Sequence, residues 1–459
     1  MEMTNLNKQK VTEEETPKGI NKLPDSLLVQ ILSLLPTTKE AFKTCLVSKT
    51  WRRLPTLIDS FNLTCSTDRE REDFSVIHNA LAHSCSPKII KFQLDLTHLS
   101  LSDCSCRPEY ETLISRCFSF AVEREVENVV LWSQYSNGCT LPETLCTCLT
   151  LITLDVKHYG FNNAVIAWNS LKSIKLGHLM LTDDEMVKLL SGCPALETME
   201  LYWYYGFCRM EINSLQLKTL KLKNYQFAEN GNDLEILAPY LQHLEISGEL
   251  HDLKCRLVDV SSIVNAKLIF SIIYSCCDYH QVVYFLVQNN LQKVCNATEL
   301  TMGTWFAEFK GVPVSELNCK YLTLVLHMKK FNMYRVAGLL RASPRVETIN
   351  IELETTLLDD FPCHFLHNSL CNSELLDLAN GDNMDLLSGV PSVVEFHNLK
   401  KVKIVISSEA CLKDHVKRGF EKVSKLSEFL LLNAPAYSLS KHNGYIIPEE
   451  LAVEDNRTA

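Results

Sequence analysis

Hydrophobic positions along this chain fall into two rhythms, a helical one confined to the first sixty residues and a strand-like one that recurs behind it. Leu28, Ile31, Leu32 and Leu35 lie at i, i+3, i+4 and i+7, one stripe of an amphipathic helix. Pro24 suits its first turn, where the missing N–H costs nothing, and Asp25 suits the positive end of the helix dipole. Leu27 and Leu34 widen the stripe until the helix is apolar on most sides, and Pro36 stops it. Thr37 to Glu40 has capping-box spacing, so a second helix is predicted to carry Ala41, Phe42, Cys45 and Leu46. Ser48 can cap a third, which presents Trp51 and Leu54 before Pro55 ends it. Three short helices of this composition have more apolar surface than they can bury among themselves.

The second rhythm is a six-residue frame, apolar-x-x-apolar-x-apolar. It recurs as LITLDV from Leu151, LKSIKL from Leu171, LETMEL from Leu196, LKTLKL from Leu217 and LQHLEI from Leu241, with starts 20, 25, 21 and 24 residues apart. Weaker copies begin at Ile89, Val126, Ala297, Cys319, Val346, Leu399 and Leu426. Such spacing is that of leucine-rich repeats, in which each strand buries its apolar edge only by stacking on its neighbours. Frame positions four and six then point inward, and three and five outward. Position five reads Asp155, Lys175, Glu200, Lys221 and Glu245, a column of alternating charge, and position three reads Thr153, Ser173, Thr198, Thr219 and His243. Two returns are legible as helices. Thr182 to Glu185 is a capping box followed by Met186, Leu189 and Leu190 and closed by Gly192 and Pro194, and Arg335 to Ser343 precedes Pro344. Beyond the strand that starts at Leu196, Tyr202, Trp203, Tyr204, Tyr205 and Phe207 cannot all point into one core; either they pack over the repeat turns, or some stand exposed at the rim as candidate contacts for a substrate.

Composition narrows the function. At 459 residues the chain exceeds one ordinary core, as a repeat array would. A net charge of −10, from 45 basic against 55 acidic residues, argues against nucleic acid as the main partner. The first twenty residues are polar and mixed in charge, with no apolar run that would make a signal peptide. The 19 cysteines are therefore expected as reduced thiols, in the nucleus and/or cytoplasm. Apolar stretches at 268–277 and 282–287 are split by Asp278 to Gln281 and are each too short for a bilayer, so a buried strand and helix are predicted and no membrane contact. Cys104, Cys106, Cys117, Cys139, Cys146 and Cys148 put six thiols in 45 residues, but their spacing and the lack of a neighbouring His argue for core residues over zinc. No nucleophile elbow, H-E-x-x-H helix or phosphate loop occurs, and neither catalytic residue, metal nor cofactor is expected.

The N-terminal residues resemble the F-box. The motif is Leu23-Pro24-Asp25, Leu28, Ile31-Leu32-Ser33, Leu35-Pro36, Ala41, Thr44, Leu46, Ser48-Lys49 and Trp51-Arg52, with Thr50 and Cys45 where a basic residue and Ser are common. LTDDEMVKLLSGCPALETMEL strongly resembles the repeats of plant F-box proteins, and the likeness runs through most of 89–352, although the Asn usual at the repeat turn is mostly absent. The resemblance implies an α/β fold, a short all-helical F-box domain followed by a leucine-rich-repeat solenoid with a parallel sheet on the concave face and helices and loops on the convex face. The expected organisation is a disordered arm at 1–19, the box at 20–60 and the solenoid at 61–352. A loop-rich insertion at 353–395, C-terminal repeats or a cap at 396–433 and a tail at 434–459 complete it.

It further implies a non-catalytic, substrate-recognising subunit of a Skp–cullin–F-box ubiquitin ligase, holding a Skp-type adaptor, and through it a cullin–RING ligase, by the box and an unknown target protein by the repeats. The adaptor contacts implied are Leu23, Pro24, Leu27, Leu28, Ile31, Leu32, Leu35, Ala41, Leu46, Val47, Ser48 and Trp51. Two other readings stay open: a leucine-rich scaffold that binds protein without ubiquitin transfer, and a small-molecule co-receptor, which would need a pocket of convergent basic side chains.

Overall fold

The computed structural model describes residues 20, 23–48, 50–66, 70–98, 108–134, 140–161, 164–225, 234–251, 255–273, 287–307, 316–327, 333–354 and 398–407, with short strands at 439–442, 445–448 and 452–455. Its contacts divide the chain into two units, Met1–Gln134 and Tyr135–Ala459.

The first unit opens with α1 (Asp25–Ser33), which Pro24 precedes as N-cap, and α2 (Thr38–Lys43), where the Thr37 hydroxyl accepts from the Glu40 N–H at 3.3 Å. The predicted second helix ends early, with Cys45 and Leu46 in a 3-10 turn (Thr44–Leu46), and the predicted third is replaced by 3-10 turns at Thr50–Arg52 and Leu54–Leu57, the last of which Pro55 opens instead of ending a helix. Three parallel strands follow, β1 (Ser60–Ser66), β2 (Lys91–His98) and β3 (Asn128–Ser133), with α3 (Glu70–His83) and α4 (Pro108–Glu123) as the returns between them. Phe61 and Phe92 pack against one another at position four of their frames, with ring centroids 5.9 Å apart and planes tilted by 31°, and Phe118 of α4 meets Phe92 edge-on at 5.6 Å. The outer edge of β1 is closed by side chains. The Asn62 N–H donates to the Thr38 hydroxyl at 2.7 Å, and the Ser66 N–H donates to Asp73, which also pairs with Lys39 at 3.5 Å.

The second unit repeats the frame as a parallel sheet. Its strands are β4 (Thr153–Lys157), β5 (Ser173–Met180), β6 (Thr198–Tyr205), β8 (Thr219–Tyr225), β10 (His243–His251), β12 (Asn265–Ile273), β13 (Glu299–Met302), β14 (Tyr321–His327), β15 (Thr348–Glu354) and β16 (Lys401–Ser407). Positions four and six are buried throughout, for example Leu154 and Val156, Ile174 and Leu176, and Ile349 and Ile351. Register is fixed where each strand starts. The position-two carbonyl of one repeat accepts from two successive N–H groups of the next, as Ile152 does from Lys172 and Ser173, Lys172 from Glu197 and Thr198, and Lys218 from Gln242 and His243.

The returns are not uniformly helices and loops. Between β5 and β6 runs α6 (Asp183–Gly192), preceded in the unit by the one-turn α5 (Glu143–Cys146); α6 has both halves of the capping box in place. Between β14 and β15 lies α7 (Met333–Arg341), which overlaps the predicted span but starts and ends two residues earlier. In the three central repeats, however, the return is itself a strand: β7 (Arg209–Glu211), β9 (Leu234–Leu237) and β11 (Cys255–Asp259) form a second parallel sheet. This second sheet adds short strands to the helices and loops expected in the returns. Met210, Ile236 and Leu257 are buried beneath it, while Arg209, Glu235 and Arg256 pair across its outer face at 3.1 and 3.3 Å. The segment expected as a tail also holds strands, an antiparallel pair β17 (Leu439–His442) and β18 (Tyr445–Pro448), and β19 (Ala452–Asp455) parallel to β16. The predicted arm at 1–19, the insertion at 353–395 beyond Glu354, the helix after Ile273 and the frame at Leu426 lie outside the described residues.

Candidate docking surfaces

Helix α1 carries two leucine stripes and not one. Leu28 and Leu32, four residues apart, are buried, with Leu35 half-buried below them. Leu27, Ile31 and Leu34 fall at i, i+4 and i+7 on another face and are exposed, Leu34 by 84%. Leu23 and Pro24 precede that stripe and are also exposed, as are Leu46 (89%) and Val47 at the end of the first 3-10 turn. Four of the residues expected to touch an adaptor are instead the box's own core: Leu28, Leu32, Ala41 and Trp51 are all 5% exposed or less. They hold the helices together and present no surface. Leu35 and Ser48 are intermediate. Leu34 was not among the expected contacts, although its spacing from Leu27 and Ile31 is the signal that finds it.

On the open face of the second unit the alternating charges stand side by side. Asp155 pairs in register with Lys175, Lys175 with Glu200, Glu200 with Lys221, and Lys221 with Glu245; the column then gains Lys267 on β12. Side chains close some rungs directly and others diagonally, through Lys223. Glu200 meets Lys175 at 3.5 Å and Lys223 at 3.6 Å, and Glu245 meets Lys223 at 3.7 Å and Lys267 at 4.0 Å.

Beside this column runs another that the residues alone did not announce. At position eight of five consecutive frames the backbone is left-handed: His158 (φ 66), His178 (φ 53), Trp203 (φ 52), Asn224 (φ 52) and Gly248 (φ 83). The extra residue leaves positions seven and eight both outside the core, while position nine turns back in as Tyr159, Leu179 and Tyr204. The rings at position eight stack. His158 and His178 lie 4.4 Å apart at 25°, and His178 and Trp203 lie 5.8 Å apart at 15°. Left-handed backbone is costly for residues as large as His and Trp, on the order of 1–3 kcal/mol each, and is tolerated only where the surroundings enforce it. Burial first, then its histidine neighbour and Lys157, push the His158 imidazole down to about 4; burial and Lys157 also lower His178. Both rings are neutral at neutral pH.

Of the candidate aromatic cluster, Tyr204 and Phe207 are buried and stack on one another at 5.4 Å, so they belong to the core. Tyr202, Trp203 and Tyr205 are half-exposed. Tyr202 lies on the open face with the Lys175 ammonium 5.2 Å from its ring, and burial, then Asp155 and Glu200, raise its phenol above the usual range. The cysteines behave as core residues. Burial pushes Cys117 and Cys193 up to about 12 and Cys146 and Cys319 up to about 11, so these thiols stay protonated. Cys148 is buried as well, and Cys104, Cys106 and Cys139 lie outside the described residues. Among the described residues no helix is long and apolar enough to cross a membrane.

These surfaces agree with what the chain is similar to. Residues 114–351 match the family described as FBD-associated F-box protein At5g56370, LRR repeats, and residues 20–56 match the F-box-like family. The putative F-box/LRR-repeat protein At3g18150 of Arabidopsis thaliana is 29% identical over 452 residues, 93% of either chain. The F-box/LRR-repeat protein At3g03360 of the same plant is 29% identical over 351 residues, 72% of this chain and 70% of the relative. With a box of exposed leucines in front and a registered parallel repeat sheet behind, matched across half its length, this chain belongs to the F-box proteins with leucine-rich repeats.

Proposed function

We propose that this chain is the substrate-recognition subunit of a Skp–cullin–F-box ubiquitin ligase. Its box docks on the Skp-type adaptor, and its repeats hold a target protein. The observation that carries the reading is the set of large apolar side chains left outside the box's core: Leu23, Leu27, Ile31, Leu34, Leu46 and Val47. Covering one such side chain contributes about 1.5–3 kcal/mol, so a few of them suffice for a tight complex. The chain then acts by holding the target near the ubiquitin-loaded partner, where proximity alone accelerates transfer.

The test is capture of the adaptor and cullin by the full chain, with Ile31→Ala and Leu34→Ala combined. Both side chains are exposed, so the variant keeps its fold and loses adaptor affinity by orders of magnitude. Unchanged affinity in a folded double variant rejects the reading. Should the wild-type chain capture no adaptor, a scaffold without ubiquitin transfer is the better description.

A further inference from the structure

The rings at position eight are not there for the backbone. The next two repeats place Asn224 and Gly248 in the same left-handed conformation, and those residue types adopt it with little strain. His158, His178 and Trp203 therefore keep bulky rings where smaller residues would fold more easily. Nor are the rings core, because positions four, six and nine supply that, and all three remain half-exposed in a continuous stack. Strained residues that persist without a structural need point to a binding role.

The charges around the stack say what would bind. On β4 to β12, positions five and seven carry Lys157, Lys175, Lys221, Lys223 and Lys267 against Asp155, Glu200 and Glu245. Glu200 and Glu245 are met by Lys175, Lys223 and Lys267. Among the described residues Lys157 and Lys221 form no ion pair. Lys157 is the chain neighbour of His158 and close enough to depress both imidazoles. This face is thus positive within a chain of net charge −10, and the positive charge flanks neutral rings.

We propose that the stack His158–His178–Trp203, with Lys157 beside it and Lys221 at position five of β8 on the same face, binds an acidic extended peptide segment of a partner protein. An aromatic or proline side chain of that segment packs on the rings while its carboxylates reach the two lysines. The neutral imidazoles add flat surface and N–H donors without charge, so the lysines set the sign of the partner. A nucleic-acid strand fits less well, since its phosphates recur at every nucleotide and would meet Asp155, Glu200 and Glu245 as well as the lysines, whereas a peptide can place its few carboxylates at the lysines alone. The proposal deepens the ligase reading, resting on the assignment of target binding to the repeats.

The experiment is selection of a displayed random twelve-residue peptide library on the full chain, followed by binding of the enriched peptides made synthetically. Enrichment of acidic residues with an aromatic or proline is expected, with affinity that falls as salt rises. Trp203→Gly, which suits the left-handed backbone, and Lys157→Glu should each weaken binding tenfold or more while the thermal midpoint stays near wild type. Trp203→Asn serves if the glycine variant does not fold. No enrichment, enrichment of non-acidic peptides, or binding indifferent to both variants overturns the proposal. So does tighter, equally variant-sensitive binding of twelve-residue oligothymidylate or oligouridylate. Adaptor capture is measured on the same preparations. Capture without peptide binding sinks this inference alone, whereas wild-type chain that captures no adaptor sinks the ligase reading.

Discussion

The ring of Tyr202 occupies the space that a side chain on Gly177 would fill. The two residues face one another in register on β6 and β5, and a Cβ at Gly177 would collide with the phenol ring. Gly177→Ala is expected to destabilise the fold by about 1–3 kcal/mol, the usual range for overpacking. Chemical denaturation of Gly177→Ala, Tyr202→Ala and the double variant separates the causes. If the collision is the cause, the alanine at 177 costs almost nothing once the ring is gone; an undiminished cost in the double variant places the cause elsewhere.

Glu200 lies between two ammonium groups, so Glu200→Gln removes two ion pairs at once. All three side chains are partly exposed, and pairs of this kind contribute roughly 0.2–1 kcal/mol each. The expected loss is small, under about 2 kcal/mol, and shrinks in high salt. A large loss that ignores salt would mean that Glu200 matters through packing and not charge.

The stacked imidazoles make stability depend on pH on the acid side. Both are depressed in the fold, His158 to about 4, whereas the unfolded chain protonates them near the ordinary value of 6.5. Above 6.5 both states hold neutral rings and pH has no effect through them. As pH falls from 6.5 toward 4, the unfolded chain takes up protons that the folded chain refuses, and stability falls. His158→Asn tolerates the left-handed backbone and should flatten that slope in melts between pH 7 and 4. An unchanged slope would assign it to the carboxylates.

Asn290 closes one edge of the return sheet. Its side-chain amide donates to the Cys255 carbonyl at 2.8 Å, and its side-chain oxygen accepts from the Leu257 N–H at 3.1 Å, all buried. Asn290→Leu leaves two backbone groups without partners, and each such loss costs about 1–3 kcal/mol. Asn290→Asp keeps the acceptor alone and should fall between wild type and leucine. Equal stability of wild type and leucine would show that water replaces the amide.

The frame was legible in the sequence because one face of each strand is buried and the other is not. Positions four and six are buried in every strand whose frame was read and described. Two strands carry the frame outside the copies read, β1 as IDSFNL from Ile58, directly behind the box, and β12 as IVNAKL from Ile263, where Ala266 is a faint apolar signal and only the buried strand itself is expected, from residue 268. The return sheet could not be seen, because strands of three to five residues that bury alternate side chains resemble any loop. Nor could the left-handed column: Gly248, Asn224 and the two histidines tolerate such backbone without requiring it, and Trp203 is no signal for it at all. In the box, periodicity read α1 as one widened stripe and could not separate the inward face from the outward one; that depends on the turn at Leu54–Leu57 packed against α1, with Leu28, Leu32 and Leu54 all buried.

Because register is set where the strands begin, by the shared carbonyl at position two, the length of each return is free to drift. The returns here are helices, short strands or 3-10 turns, and the spacing between frames changes from 20 to 25 residues without displacing a single rung from β4 to β10. Insertions between rungs are therefore nearly neutral for folding, while changes at outward positions alter only what the sheet displays. A chain of this kind aligns with a relative over 93% of its length at only 29% identity, as expected where each repeat is held mainly by its neighbours. A lineage built on this plan can vary its display face rapidly while its scaffold stays in step.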